Sequence, residues 1–114
     1  MQNCTPLLTL SVVATGAIAA QSFASPTGGQ ATAGGNAMGV ARYAANQAGD
    51  KVPVDVIGTT VVLSGAALTP GSLVEVGAGG LAVPKNTGVA VARVAPGDSA
   101  PGAGAPVEVI LLPN

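Results

Sequence analysis

The sequence predicts a small all-β protein, a jelly-roll-like sandwich or barrel with an internal pseudo-twofold repeat, and three observations support this fold class. Short runs of β-branched and aliphatic residues alternate with Gly, Pro, Ser and Asn clusters at intervals of about ten residues, the strand spacing of sandwiches and barrels. Apolar residues make up 48% of the 114 residues and aromatic residues only 2%, so the core must consist of small aliphatic side chains. The third observation is that the second half of the chain repeats the first.

About ten short strands are expected, five from clear patterns and others from weaker ones whose alanines also suit a helix. In the first weak segment, Leu8, Leu10 and Val12 alternate with polar residues, as in a half-buried strand. The clear strands are Val52–Ile57, Thr60–Leu63, Ser72–Val76, Val89–Val94 and Val107–Leu112, and the weaker ones are Leu7–Val13, Ala17–Phe23 and Met38–Tyr43.

One segment competes for a helical assignment, and two segments are predicted to be loops. Ala37–Gln47 can make two helical turns, but Gly39 and Val40 weaken that interpretation. Ser25–Asn36 and Ala95–Ala105 consist mainly of Gly, Pro, Ala and small polar residues. These two segments are expected to be exposed loops.

The apolar run Leu7–Ala20 is similar to the apolar part of a signal peptide. However, Met1–Pro6 contains no Lys or Arg, and the run is too short and too rich in Thr, Ser and Gly to span a membrane. A first β-strand is therefore favoured over cleaved export.

The internal repeat has two anchors. Pro53–Ile57 recurs as Pro106–Ile110 with Asp exchanged for Glu, and Gly39–Ala41 recurs as Gly88–Ala90. A half of this size buries too little surface alone, so the two copies are expected to close on each other as a single β domain. The predicted organisation is an N-terminal arm and first strand over residues 1–15, repeat 1 over 16–64 and repeat 2 over 65–114.

The closing strands of the two copies carry matching carboxylates. Asp55 and Glu108 each lie between two valines, so alternation predicts that the valines enter the core and the carboxylates face outward. No His or Lys neighbours them in sequence, and an acid/base role is not favoured. They are interpreted as surface residues.

The sequence predicts no catalytic residue, no metal ligand and no cofactor site. The chain has no His, and Cys4 is its single cysteine, so imidazole triads and an internal disulfide are excluded. Gly77–Ala82 matches the dinucleotide pattern G-x-G-x-x-A, but Val83 and Pro84 follow it where a helix should begin. A hairpin turn is the better interpretation, and no enzyme activity or small-molecule substrate is expected.

Charged residues make up 8% of the chain, and the net charge is −1. Such a chain has no strong field to attract nucleic acid or an anionic membrane, so neither partner is expected. Because the low charge gives little repulsion between copies of the chain, the composition favours a protein that functions within an assembly.

Three segments of the second half, Ala66–Val83, Thr87–Val94 and Pro106–Leu112, together resemble bacteriophage capsid cement or head-decoration proteins. The first half departs from that pattern, since Ile18–Phe23 lacks the Pro-Gly turn. The resemblance implies a structural virion protein made in the host bacterial cytoplasm. It would sit on the capsid surface as a dimer or trimer and bridge neighbouring major capsid proteins.

For such a protein, the N-terminal arm is the predicted contact, because its hydrogen-bonding residues can add a strand to a neighbour's sheet edge. The candidate capsid or subunit contacts are Gln2, Asn3, Thr5 and Leu7. The alternative for the arm is a tail that is solvated or packs on its own chain.

Two other function classes remain open. The apolar run near the N-terminus also suits an exported bacterial surface or adhesin-like β-domain. A biotinyl or lipoyl carrier is another duplicated all-β fold, but it needs a lysine at a hairpin tip, and Asn36–Val40 contains none.

Overall fold

The computed structural model describes residues 6–112, which form eight β-strands and a single-turn 3-10 element but no α-helix. All strand pairs are antiparallel, and they form one nearly closed, barrel-shaped sheet. The strand order is β2-β3-β4-β8-β7-β5-β6, and β1 pairs with β4. The predicted all-β class is therefore confirmed. The strands are β1 (Pro6–Val13), β2 (Ser22–Ala24), β3 (Gly39–Ala41), β4 (Lys51–Leu63), β5 (Leu73–Val76), β6 (Ala82–Pro84), β7 (Ala92–Val94) and β8 (Pro106–Leu111).

Two sequence predictions about elements were wrong. The segments Val52–Ile57 and Thr60–Leu63 are not two strands but one 13-residue strand, β4, which carries Gly58 at a φ of 104°. Glycine has no Cβ and adopts this positive φ without strain, so the chain bends without ending the strand. The helix considered for Ala37–Gln47 does not form, because β3 pairs with β2 and β4 there.

Strand β4 links the two halves of the barrel. Its residues from Lys51 to Gly58 pair with β1, and those from Thr59 to Leu63 pair with β8. At the bend, Pro6 lies opposite Gly58 and Ile110 lies opposite Thr59. Strands β8 and β1 therefore lie end to end along β4, and both ends of the described chain meet at the bend.

Matching hydrogen bonds recur in the two halves. Ile18 and Ala45 exchange a pair of backbone hydrogen bonds, both of 2.9 Å. Leu68 and Ala100 exchange the same pair, at 2.9 and 3.0 Å. Each pair holds the segment after the first strand of its half, β1 or the end of β4, against the loop before the closing strand, as a pseudo-twofold repeat requires.

The strand pairing corrects the register of the sequence repeat. Val54 lies opposite Ala41, and Val109 lies opposite Val94, so Val54 and Val109 hold equivalent places. The alignment of the two sequence repeats instead makes Val54 equivalent to Val107. It had likewise set Gly39–Ala41 against Gly88–Ala90, whereas β3 corresponds in its pairing to β7. Loops of unequal length in the two halves account for both shifts.

The core consists of two clusters of small side chains. One cluster serves the first half alone, and the other combines second-half valines with Phe23 and Val40 from the first half. The loops that were expected to be exposed enter this core, since Ala31 and Ala100 are only 2% and 3% exposed. With one buried aromatic ring available, loop alanines complete the packing. The smaller cluster comprises Ala14, Ile18, Ala24, Ala41, Ala45, Val52 and Val54.

The predicted turn in Gly77–Ala82 is confirmed, because β5 and β6 form a hairpin around it. Gly79 and Gly80 both have positive φ, at 72° and 77°. A Cβ on Gly80 would also collide with the side-chain amide of Gln30.

Among residues 6–112, no helix is long and apolar enough to cross a membrane.

Candidate contact surface

Asp55 lies at the inside of the β4 bend and is completely buried. Its carboxylate accepts hydrogen bonds from Arg42 Nε at 2.9 and 3.0 Å, from Thr9 Oγ1 at 2.7 Å and from Thr60 Oγ1 at 2.8 Å. Thr9 lies on β1, Arg42 directly follows β3, and Thr60 lies on β4 beyond the Gly58 bend. The carboxylate therefore ties together the strands that meet at the bend.

The expectation that Asp55 and Glu108 face outward was wrong, since they are 0% and 8% exposed. For Asp55, the Gly58 bend brings Thr60 back over a residue that alternation alone would leave at the surface. For Glu108, the loop between β7 and β8 is the cause, because Ala95 and Asp98 both hydrogen-bond to the Glu108 backbone and hold the loop against β8.

Strand β1 lies at the outside of the sheet. Within residues 6–112 its strand partner is β4, so its other edge carries backbone groups that face away from the sheet. Natural proteins protect such edges with charged residues, proline or a bulge. Strand β1 has Pro6 and a register shift between Leu8 and Thr9, but it has no charged residue. The turn at Gly28 lies against Val12 and Val13, so the open part of this edge is the stretch before them, Thr9–Ser11.

Apolar side chains surround that edge and form what we call the β1 surface. Leu7 is 76% exposed, the largest value among the exposed apolar residues, and its neighbour Leu8 lies opposite Ile57 on β4. Alternation places Leu10 and Val13 on opposite faces of β1, so exposed apolar side chains flank its edge on both sides of the sheet, and exposed apolar surface of this kind marks interaction sites. The β1 surface comprises Leu7 (76% exposed), Leu8 (42%), Leu10 (41%), Val13 (55%) and Ile57 (50%).

Of the contact residues predicted from the sequence, Leu7 lies on the β1 surface. Gln2, Asn3 and Thr5 lie outside the described residues. The predicted strand Leu7–Val13 is confirmed, but only Val12 of its alternating apolar residues packs against a core cluster. Sequence reasoning therefore missed the exposed members of this strand. The available signal was the lack of any charge along it.

The charged residues are divided between the surface and the interior. All four basic residues are exposed, whereas four of the five acidic residues are buried. The buried Glu75, for example, accepts hydrogen bonds from the backbone N–H groups of Asn86 and Gly88. The accessible charge is thus mainly positive although the net charge is −1. The exposed basic residues are Arg42, Lys51, Lys85 and Arg93; the buried acidic ones are Asp55, Glu75, Asp98 and Glu108.

A surface cleft of about 220 Å³ lies beside the β4 bend. Tyr43, which is the single tyrosine of the chain, lines it and is 66% exposed. Arg42, whose side chain is 38% exposed above Asp55, also lines it. The remaining lining residues are Gln21, Thr60 and Val61.

Comparison with known proteins identifies a shared fold but no family. No family model matches the chain, and no curated protein does. Among solved structures, it is similar to the crystal structure of the head fiber gp8.5 N base in bacteriophage phi29, with a TM-score of 0.73 and 17% sequence identity. The match covers 92% of this chain and 93% of that one. At this identity the likeness shows that the two chains have the same fold.

Proposed function

We propose that this chain is a non-catalytic structural protein of a phage virion, which binds the outside of the capsid and cements neighbouring major capsid proteins. The observation that carries the proposal is the β1 surface, where an uncharged open strand edge lies beside three exposed leucines, Val13 and Ile57. The phage setting is supported by the likeness in fold to the head fiber gp8.5 N base of bacteriophage phi29.

The β1 surface has what a binding protein needs and requires no reactive group. An open edge can take a strand from a neighbour through main-chain hydrogen bonds, and the side chains beside it supply apolar contact area. Leu7 and Val13, at 76% and 55% exposure, have the most area to bury at the two ends of β1. We expect the occupant to be an extended segment of the major capsid protein.

Symmetric repetition would turn such a modest contact into firm attachment. A capsid presents many identical copies of its shell protein, and a homo-oligomer that engages several of them at once gains avidity from each contact. We therefore propose a dimer or trimer on the shell. The low charge of the chain, 8% of residues, is compatible with close association of copies.

The proposal is tested by co-sedimentation with phage shells that lack this protein. Wild-type chain should sediment with the shells and saturate at a fixed ratio to the major capsid protein. The double variant Leu7→Ala/Leu8→Ala should bind about tenfold more weakly, because it removes apolar area at the contact. Val89→Ala is the matched control, since Val89 is 40% exposed but lies outside the β1 surface, and it should bind like wild type.

Two results would count against the proposal in different ways. If wild-type chain stays in the supernatant at every shell concentration, the virion role is wrong. If wild type binds but the double variant binds equally well, the β1 surface is not the contact.

A further inference from the structure

The cleft beside the β4 bend has a basic, aromatic rim that sets it apart from the apolar β1 surface. Arg42 and Tyr43, which follow β3 directly, line the cleft together with Gln21 and with Thr60 and Val61 of β4. We propose that this cleft binds a carboxylate side chain, from Asp or Glu, on a partner protein. This inference goes beyond the cementing role and does not depend on it.

The guanidinium of Arg42 is held in place before any partner arrives. Its Nε donates to both oxygens of Asp55, at 2.9 and 3.0 Å, and Asp55 is itself fixed by Thr9 and Thr60. A planar guanidinium held in this way loses little rotational freedom when it takes up a further anion. Because 38% of the side chain is exposed, the group also faces solvent in the cleft.

Tyr43 gives the cleft the composition of an interface anchor. Tyr and Arg are the side chains that most often dominate binding energy at protein interfaces, where an apolar body and a polar tip serve together. Tyr43 is 66% exposed, and Val61 adds apolar surface to the same cleft lining. A carboxylate-bearing side chain fits this mixture, since its aliphatic stem can contact Tyr43 and Val61 while its charge meets Arg42.

The charges around the cleft favour an anion. Lys51 lies on the same face of β4 as Pro53 and Asp55, because alternate residues of a strand share a face, and Lys51 is exposed. Asp55 lies beneath Arg42 with no exposed surface, and Asp50, half-buried in the preceding turn, accepts hydrogen bonds from Asn46 and Gln47. Because Asp55 already offsets part of the Arg42 charge, the attraction for a carboxylate comes from the exposed part of Arg42 and from Lys51, which lies outside the cleft lining.

The occupant is a protein side chain rather than a nucleic acid. Polyanions require a stripe of cations along the surface. Here two of the four basic residues lie in the first half, and the other two lie in the second half, Lys85 after β6 and Arg93 on β7. The cleft thus offers a site for one charged group rather than a track for a phosphate backbone.

The test uses the full chain and two small probes that differ in charge alone. N-acetylglutamate N-methylamide and N-acetylglutamine N-methylamide are titrated into labelled protein at low salt, and backbone amide shifts are recorded by NMR. We expect saturable shifts at Arg42, Tyr43, Thr60 and Val61 with the glutamate probe, at a Kd at least about threefold lower than with the glutamine probe. Equal shifts with both probes, or glutamate shifts spread equally over Lys85 and Arg93, overturn the proposal.

Matched variants locate the binding energy. Tyr43→Ala and Lys51→Gln should each raise the Kd for the glutamate probe at least about twofold, with the thermal midpoint unchanged because both side chains are exposed. Lys85→Gln removes an equal charge away from the cleft and should leave the Kd unchanged. If Lys85→Gln weakens binding as much as Lys51→Gln does, general attraction explains the effect and the cleft is not a site.

Discussion

Asp55 stabilises the point where three strands meet. An isolated buried carboxylate would be costly, but four hydrogen bonds from three side chains satisfy this one. Removing one member of a buried ion pair costs about 3–5 kcal/mol, because its partner keeps the desolvation cost without compensation. Arg42 is 38% exposed and regains some hydration, so the lower end of that range applies.

At the residue scale, Asp55→Ala should lower the free energy of unfolding by about 3 kcal/mol, measured by urea denaturation. The matched control is Asp50→Ala, which removes a carboxylate that caps backbone N–H groups in an exposed turn. That change should cost about 1 kcal/mol or less. Equal losses for the two variants would mean that Asp55 does not hold the bend.

Strand β1 differs from β4 in what covers its edges, and this difference was invisible in the sequence. Both segments show β-branched residues and alternation, so β1 is predicted as one strand and β4 as two. Nothing in the local pattern shows that β4 is paired on both sides at Val54 and Asp55 whereas β1 is paired on one, because edge position depends on the order of strands in the sheet. The burial of Asp55 was missed for a similar reason, since it depends on a bend at Gly58 that brings Thr60 to it.

At the scale of the element, hydrogen exchange should reveal the open edge. Alternate amides of an edge strand point away from its neighbour, so in the free chain alternate amides of β1 should exchange faster than those bonded to β4. Binding to shells should slow the fast set at least about tenfold. If the fast set stays fast on fully occupied shells, the contact uses side chains alone and no strand is added at this edge.

On the scale of the whole molecule, β4 contributes one strand to each half of the barrel. Residues Lys51–Gly58 of β4 are the last strand of the first half, and residues Thr59–Leu63 are the first strand of the second half. Strand β4 therefore combines the two positions that β1, the first strand of the first half, and β8, the last strand of the second half, occupy separately. The sequence repeat predicts two such halves, but it aligns Val54 with Val107, because a sequence alignment follows identical residues. The equivalence of Val54 and Val109 comes from strand pairing, which only the fold defines.

This arrangement predicts that the order of the halves can be reversed. A circular permutant that begins at Thr59, joins Asn114 to Met1 and ends at Gly58 should fold, because Pro6 and Ile110 already lie opposite neighbouring residues of β4. Its circular dichroism spectrum should match wild type, and it should unfold cooperatively. As a control, opening the chain between Val54 and Asp55 cuts a doubly paired stretch and should prevent folding. If neither permutant folds, the junction at the bend is not equivalent to a natural break.

The meeting of β1 and β8 at the bend also gives the molecule a mechanically weak direction. Tension applied between the two described ends pulls Pro6 away from Gly58 and Ile110 away from Thr59, so each strand peels from β4 starting at its end pair. Hydrogen bonds then break one at a time instead of sharing the load. A push or shear delivered through the flank of the barrel loads many of them together, so resistance to force depends on where the molecule is held.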